Sequence, residues 1–399
     1  MNYLIIGGLN IRPFDECDIN YSDVQIANQE ANSKLMWNLI NGLEANGGIV
    51  TILNTPNLLS YQENKEILFH KGYYWKHREN ISDYSISFLN FFPFSIFSRK
   101  TAINRQCKKW IKKTEGEKTI IGVTPHYPIV YAINKYSSKA KTCLVVPDLP
   151  EYTGKSRRKS LIYRLLKKID VSLFYRNIRR IKNFVVLTKY MEEKLGKNNY
   201  VCIESMVDPS DVFNEIHSEA SNEFSFLYSG TIHDNYGVIE FAETIIEYDI
   251  NCKFYICGLG TGVERVAELS RADSRIIYLG ALNPLDVRKY QSIASVLVNP
   301  RPNDGSDYLK YSFPSKTMEY MLSGKPVICF KLPGIPDEYD DYLYYMESFD
   351  KKSMMKAIKH HMELSESELD SIGRANRTFV LNNKNNVVQT KKIIEMLGN

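Results

Sequence analysis

Short, almost wholly apolar runs separated by helical stretches recur along this chain, and that alternation confines it to one fold class. The first half carries such runs at Tyr3–Ile6, Ile49–Leu53, Ile120–Thr124, Thr142–Val146, Phe184–Leu187 and Val201–Ile203. A strand covered on both faces reads as a continuous apolar run, whereas a half-exposed strand alternates. Helical spacing lies between several of them, most clearly over Val24–Asn46, where Ile26, Leu35, Leu39, Ile40 and Leu43 share a face and Gly47 supplies a stop. Strand–helix alternation predicts a parallel sheet with right-handed crossovers.

The segment from Val207 to Phe213, with the polar stretch to Glu223, reads as an interdomain linker, after which the alternation restarts. Strands are expected at Phe224–Tyr228, Lys253–Cys257, Arg275–Leu279, Ser295–Asn299 and Pro326–Phe330, with helices over Gly237–Tyr248, Thr261–Ser270, Pro284–Ser292 and Pro314–Ser323. The expected fold is α/β, two Rossmann-like doubly wound domains over residues 1–206 and 207–380 facing across a cleft at the carboxyl ends of their strands. Residues 381–399, with an amphipathic Val387–Leu397, form a tail helix whose packing the pattern leaves open.

The two halves differ in charge. Residues 1–205 carry 31 Lys/Arg against 18 Asp/Glu, a net of +13, and residues 206–399 carry 20 against 28, a net of −8. Opposite signs suit domains with different partners. Seven cysteines, odd in number and without paired metal spacing, suit free thiols in a reducing cytoplasm. The opening Met1–Gly8 has no basic leader, so no secretion signal is expected. The longest apolar stretch, Ser85–Phe97, is 13 residues and includes Asn90 and Pro93, too short to span a bilayer.

Chemistry concentrates in Asn299–Ile328, which leaves a strand, crosses a polar loop and enters a helix. Pro314 suits the first helical turn and Gly324 the residue after the last. A helix start beside Ser312, Phe313, Pro314 and Ser315 offers N–H groups and a positive dipole end to an anion. Arg301 and Lys316 flank it with fixed cations, and Glu319 could accept two hydrogen bonds from a vicinal diol, a set that describes a nucleoside diphosphate. The same spacing also fits a capped surface helix in which Lys316 and Glu319 form an i,i+3 pair.

The string Tyr311-Ser-Phe-Pro-Ser-Lys-Thr-Met-Glu-Tyr-Met-Leu-Ser-Gly-Lys-Pro-Val-Ile resembles the donor-binding motif of retaining glycosyltransferases of family 4, which have the two-Rossmann-domain GT-B fold. Phe226-Leu-Tyr-Ser-Gly-Thr, with Ser229, Gly230 and Thr231, resembles the strand and glycine turn that open the family's donor domain. Tyr255-Ile-Cys-Gly-Leu-Gly, with Gly258 and Gly260, resembles its second glycine turn, and Tyr278-Leu-Gly-Ala-Leu282 the segment whose backbone contacts the base. The resemblance implies that Glu319 holds the ribose hydroxyls. Glu319 matches the second Glu of the family's motif; Tyr311 stands where the first would be, which contacts the donor sugar, and a phenol cannot replace both acceptors of a carboxylate. The family's Arg and Lys after the first glycine turn are also missing from Ser229–Asn235, so Arg301 and Lys316 are expected to meet the diphosphate instead.

In the first half, Gly7-Gly8 matches the family's glycine turn, though it also reads as plain punctuation after a strand. His126 ends a strand where the family often has a histidine near the transferred sugar; a structural histidine is the alternative. Asp148 ends the next strand and could orient an acceptor hydroxyl or cap a turn. Lys155–Lys182 holds eleven Lys/Arg against one Asp, interleaved with apolar residues at near-helical spacing. Phe88–Phe97 has five Phe, and seven basic residues follow from Arg99 to Lys113. Residues 88–113 and 155–182 therefore suit an anionic membrane surface, with peripheral attachment at the inner face of the plasma membrane. No nucleic-acid motif is present.

Gly258-Leu-Gly-Thr-Gly262 follows a strand like a dinucleotide fingerprint, but no acidic residue ends the next strand, so NAD is not expected. Asp304 and Asp307 lack companion histidines, and no metal or other cofactor is expected. His360-His361 reads as a helical surface stretch. The resemblance implies transfer of a sugar, with retained configuration, from a UDP- or GDP-type nucleotide sugar to a hydroxyl of a glycan or lipid-linked glycan, as in surface or exopolysaccharide synthesis. Two alternatives stay open from sequence: a nucleotide-sugar epimerase or hydrolase of the same fold, and a catalytically silent scaffold.

Overall fold

A computed structural model describes residues 1–12, 30–152, 161–196, 199–212 and 223–398. The chain divides into two compact units, Met1–Met206 with Asn386–Asn399, and Val207–Asn385.

The first unit contains, in chain order, β1 (Asn2–Gly7), α1 (Glu30–Ala45), β2 (Ile49–Asn54), α2 (Tyr61–Asn64), β3 (Phe69–His70), β4 (Tyr73–Trp75), β5 (Asp83–Ser85), β6 (Phe88–Leu89), α3 (Phe94–Lys113), β7 (Lys118–Val123), α4 (Tyr127–Tyr136), β8 (Lys141–Val146), α5 (Leu161–Ile178), β9 (Asn183–Val186), α6 (Tyr190–Leu195) and β10 (Asn199–Cys202). Eight strands form one sheet in the order β10-β9-β8-β7-β1-β2-β5-β4. All pair in parallel except the edge strand β4. The central strands are buried along nearly their whole length, which is why they read as unbroken apolar runs.

The second unit contains β11 (Ser225–Ser229), α7 (Val238–Glu247), β12 (Lys253–Cys257), α8 (Val263–Ala272), β13 (Ile276–Tyr278), α9 (Pro284–Ile293), β14 (Val296–Asn299), α10 (Ser315–Leu322), β15 (Val327–Cys329), β16 (Tyr344–Tyr345), α11 (Lys351–Glu363) and α12 (Glu366–Asn383). Its six strands are parallel in the order β13-β12-β11-β14-β15-β16. Its core joins Phe226, Phe241, Phe254, Tyr320, Tyr339 and Ile358 with many smaller side chains.

A final helix, α13 (Asn386–Gly398), returns to the first unit and lies on α1. Gly42 permits this, because the Asn386 carbonyl occupies the space a side chain there would need. Asn46 Nδ2 then donates to Val387 O at 2.9 Å and to Thr390 Oγ1 at 3.0 Å. The tail from 381 is thus two elements, the end of α12 and a helix docked on the first core.

Val207 and Val212 pack on the second unit's core, and Val207 bridges Asn385, so the described start of the expected linker is built into a domain. Residues 24–29 of the expected first helix lie outside the described residues. His361 is buried, with Nδ1 2.9 Å from the Ala357 carbonyl, and burial holds its pKa down at about 4. It is a core residue. His360 stacks on Tyr344 with ring centroids 5.0 Å apart.

Candidate functional site

In a doubly wound sheet the ligand crevice opens at the carboxyl edge, where successive strands run off in opposite directions from the first. In the second unit that point falls between β11 and β14; in the first it falls between β1 and β7. The residues that follow those four strands are Gly230, Arg301, Gly8 and His126.

Around Gly230 three loops continue the sheet beyond its strands. Gly230 N–H donates to Cys257 O at 2.8 Å, Ile232 N–H to Leu259 O at 2.9 Å, and Gly258 N–H to Gly280 O at 2.8 Å. Such close approach demands glycine. At φ of 140° and 153°, Gly258 and Gly260 present their α-carbons to the carbonyl oxygens of Gly230 and Ile232, where a methyl group would collide. The two glycines therefore clamp one turn to the next. Gly258 O also accepts from Tyr278 Oη at 2.9 Å.

The first turn is fixed from below. Tyr320, buried in α10, receives the Ser229 N–H at Oη (2.8 Å) and approaches the Ser229 carbonyl at 3.2 Å. Gln291 Nε2 reaches Ser229 Oγ at 3.3 Å. Ser229 is thereby committed to the interior, and Thr231 is the exposed residue of the turn.

Helix α10 enters this edge from β14. Pro314 occupies its N-cap position and no side chain caps it. Lys316, in the first turn, lays its Cε and Nζ across the α-carbon of Gly230, filling the space a side chain would take. Ser312 and Pro314 are half-buried and Ser315 exposed, whereas Phe313 packs on Tyr339 with centroids 5.5 Å apart and Tyr311 is buried. Glu319 is half-buried one turn beyond Lys316. Arg301 stands with its guanidinium carbon 4.8 Å from the Tyr236 ring and 5.7 Å from that of Tyr308, a stacking that orients the fork. Leu282 is half-buried at the head of α9, which Asn283 caps by accepting from Leu285 and Asp286 N–H. Asp304 accepts from Ser306 N–H, and Asp307 pairs with Lys310 at 3.4 Å, so both acids serve their own loop.

Helix α12, absent from the sequence reading, holds α10 in place. Arg377 donates to the Leu322 and Ser323 carbonyls at the end of α10, and Asn376 Nδ2 donates to Lys325 O at 3.0 Å. Gly324, at φ 77°, terminates α10 in the left-handed conformation expected.

In the first unit, Gly8 is buried and the Asn57 side chain fills the space beside its α-carbon. The neighbouring Leu9 N–H donates to Asn54 Oδ1 at 3.1 Å. Across the switch point, Thr124 takes φ 85°, a strained value for a β-branched residue, and His126 follows exposed at the N-cap of α4. Surrounding protein, Arg99 and Lys167 lower the His126 pKa against the opposing pull of Asp170, favouring the neutral ring. Asp148 lies half-buried at the end of β8, one strand further on.

Residues 223–363 match the family model described as glycosyl transferases group 1. No curated protein matches the chain by sequence. Among solved structures, a trehalose-6-phosphate protein from E. coli bound with UDP-2-fluoro glucose aligns with TM-score 0.63 at 9% identity, covering 99% of this chain and 98% of that one. A trehalose-6-phosphate synthase studied with bisubstrate glycomimetics, for glycosyl transfer with retention, aligns with TM-score 0.66 at 10% identity over 99% and 98%. Sucrose-phosphate synthase from Thermosynechococcus elongatus aligns with TM-score 0.65 at 14% identity over 99% and 98%. The fold is that of GT-B glycosyltransferases, with two Rossmann-like domains.

Proposed function

We propose that this protein is a retaining glycosyltransferase that moves a sugar from a nucleotide-diphosphate sugar to a hydroxyl of a glycan or lipid-linked glycan, in surface or exopolysaccharide synthesis. The observation that carries the reading is Lys316 lying over Gly230 at the uncapped start of α10, at the switch point of the second sheet. A cation, a helix N-terminus and a glycine turn that admits close approach are together what a diphosphate requires.

In this reading the diphosphate of a UDP- or GDP-type donor binds at Phe313–Lys316, with Arg301 as second cation and Glu319 on the ribose. Charge grows on the departing diphosphate as the glycosidic bond breaks, so these groups stabilise the transition state more than the bound donor. His126 is the residue assigned to the transferred sugar in this reading. The acceptor attacks from the face the diphosphate leaves, and a phosphate oxygen takes its proton. Asp148 would orient the acceptor.

Product NMR tests the stereochemistry: the donor's anomeric configuration is expected in the product, and an inverted linkage overturns retention. Donor turnover should require added acceptor; turnover of the nucleotide sugar alone would assign an epimerase or hydrolase instead.

A further inference from the structure

The first unit leaves an apolar and basic surface uncovered. In α3 the residues Phe94, Phe97, Thr101, Arg105, Lys108 and Lys112 recur at helical spacing, and all are exposed. Phe94 and Phe97 are 57% and 59% exposed, a large apolar area to leave in water at the head of a basic helix. The patch extends sideways, because Phe69 in β3 pairs with Leu89 in β6 and is 61% exposed, as is its neighbour Leu68 at 45%. Helix α4 lies between α3 and α5 on the same side of the sheet, opposite α1 and α13. On α5, Leu165, Ile169 and Leu173 follow at i, i+4 and i+8, all turned to solvent, with Arg164, Lys168 and Arg176 exposed among them.

An ordinary surface helix turns its apolar stripe inward. Here exposed apolar residues sit among cations, and the opposing charge is nearly absent: α3 contains no acidic residue, and Asp170 of α5 lies 3.6 Å from Lys167. The complementary partner is a polyanionic plane with an apolar interior. Nucleic acid supplies phosphates, and its bases could stack on Phe, but it offers nothing to Leu165 or Ile169, which have no π face. No described helix is long and apolar enough to cross a membrane, so contact would be interfacial.

The geometry points to α3, β3 and α5 as one docking surface for an anionic lipid bilayer, the exposed aromatic and aliphatic side chains entering the headgroup layer and the lysines and arginines pairing with lipid phosphates. The surface lies on elements separate from the β11–β14 site, so it stands or falls independently of the sugar-transfer reading.

Co-sedimentation of the full chain with vesicles tests it, using pure phosphatidylcholine against mixtures containing a third phosphatidylglycerol. Binding is expected only to the anionic vesicles, and to weaken as salt rises. The pairs F94S/F97S, L165S/I169S and K108E/K112E should each weaken it roughly tenfold or more. All six residues are exposed, so unchanged circular dichroism and melting temperature are expected; should one pair fail to fold, the other pairs and the wild-type lipid and salt dependence still decide. Absence of binding to anionic vesicles overturns the proposal. So does either apolar pair binding at wild-type strength, and so does competition by RNA combined with insensitivity to the apolar substitutions, which would assign a polyanion site.

Discussion

Lys316 crosses the α-carbon of Gly230, so a side chain from the first turn of α10 and the glycine turn after β11 share one space. A larger residue at 230 would expel the lysine, and a shorter one at 316 would leave the turn open to water.

Gly230→Ala should therefore act through Lys316. The added methyl displaces the ammonium from the switch point, and diphosphate affinity should fall about tenfold, equivalent to roughly 1.4 kcal/mol. Lys316→Ala and Arg301→Ala should raise the donor KM by a similar or larger factor. Calorimetry and steady-state kinetics measure both, and normal donor kinetics in the two alanine variants would remove these cations from the proposed donor site.

Glu319→Ala should lower the affinity for ribonucleotides more than for their 2′-deoxy counterparts, which keep only the 3′-hydroxyl as a partner for this carboxylate. Losing hydrogen bonds to a charged acceptor costs about 1.5–3 kcal/mol. Binding of a nucleoside diphosphate with and without the 2′-hydroxyl, in wild type and variant, separates a ribose contact from a purely structural role. Equal losses for both ligands would place Glu319 elsewhere.

Much of this arrangement is legible in the sequence because it rests on local chemistry. Buried parallel strands write themselves as apolar runs, and the Ser229–Gly230–Thr231 and Gly258–Leu259–Gly260 turns announce a close approach of backbones. What stayed hidden is long-range. Nothing in Lys351–Asn383 says that Arg377 will cap α10, because that contact joins residues 54 or 55 apart. Ser229 looks like a ligand-binding serine until Tyr320, 91 residues away, is seen to hold it. His361 looks exposed beside His360 because a helical surface and a helical core face differ by a single position.

Tyr320→Phe should test that hidden support. Deleting Oη leaves the buried Ser229 N–H without this acceptor, a loss of roughly 1–3 kcal/mol visible in denaturant unfolding. Donor affinity should drop as well, since the turn above loses its anchor. An unchanged unfolding midpoint would mean that the turn is held by the Cys257 and Leu259 bonds alone.

The first unit carries a buried ionic triad with a definite pH signature. His77 Nδ1 lies 2.6 Å from Asp83 Oδ2 and Nε2 lies 3.3 Å from Glu44 Oε1, while Asp83 Oδ1 accepts the Ile52 N–H at 2.7 Å. Burial opposes the imidazolium, but hydrogen bonds to Asp83 and Glu44 outweigh it and raise the His77 pKa to about 9. A group raised above its unfolded value stabilises fully below that value, near pH 6.5, and ceases to do so above the folded pKa. The contribution of about 3 kcal/mol should thus disappear between pH 6.5 and 9. Unfolding free energies across that window should fall more steeply for wild type than for His77→Gln; parallel curves would contradict the triad's charge state.

Thr124→Gly should relieve the φ of 85° beside His126. Strain of this kind costs of order 1–3 kcal/mol, partly offset by the glycine's greater unfolded-state freedom, so a gain of roughly 1 kcal/mol is expected. Turnover should decline as His126 loses its fixed approach. A variant that gains stability with full activity would show that the strain has no part in catalysis.

The most direct test is isothermal titration calorimetry of the purified protein with UDP, GDP, ADP, TDP and CMP, repeated on Lys316→Ala. One nucleoside diphosphate should bind at a single site, and the substitution should weaken it at least about tenfold. Failure of all five ligands to give heat at millimolar concentration, or equal affinity in wild type and Lys316→Ala, would contradict the proposed donor site.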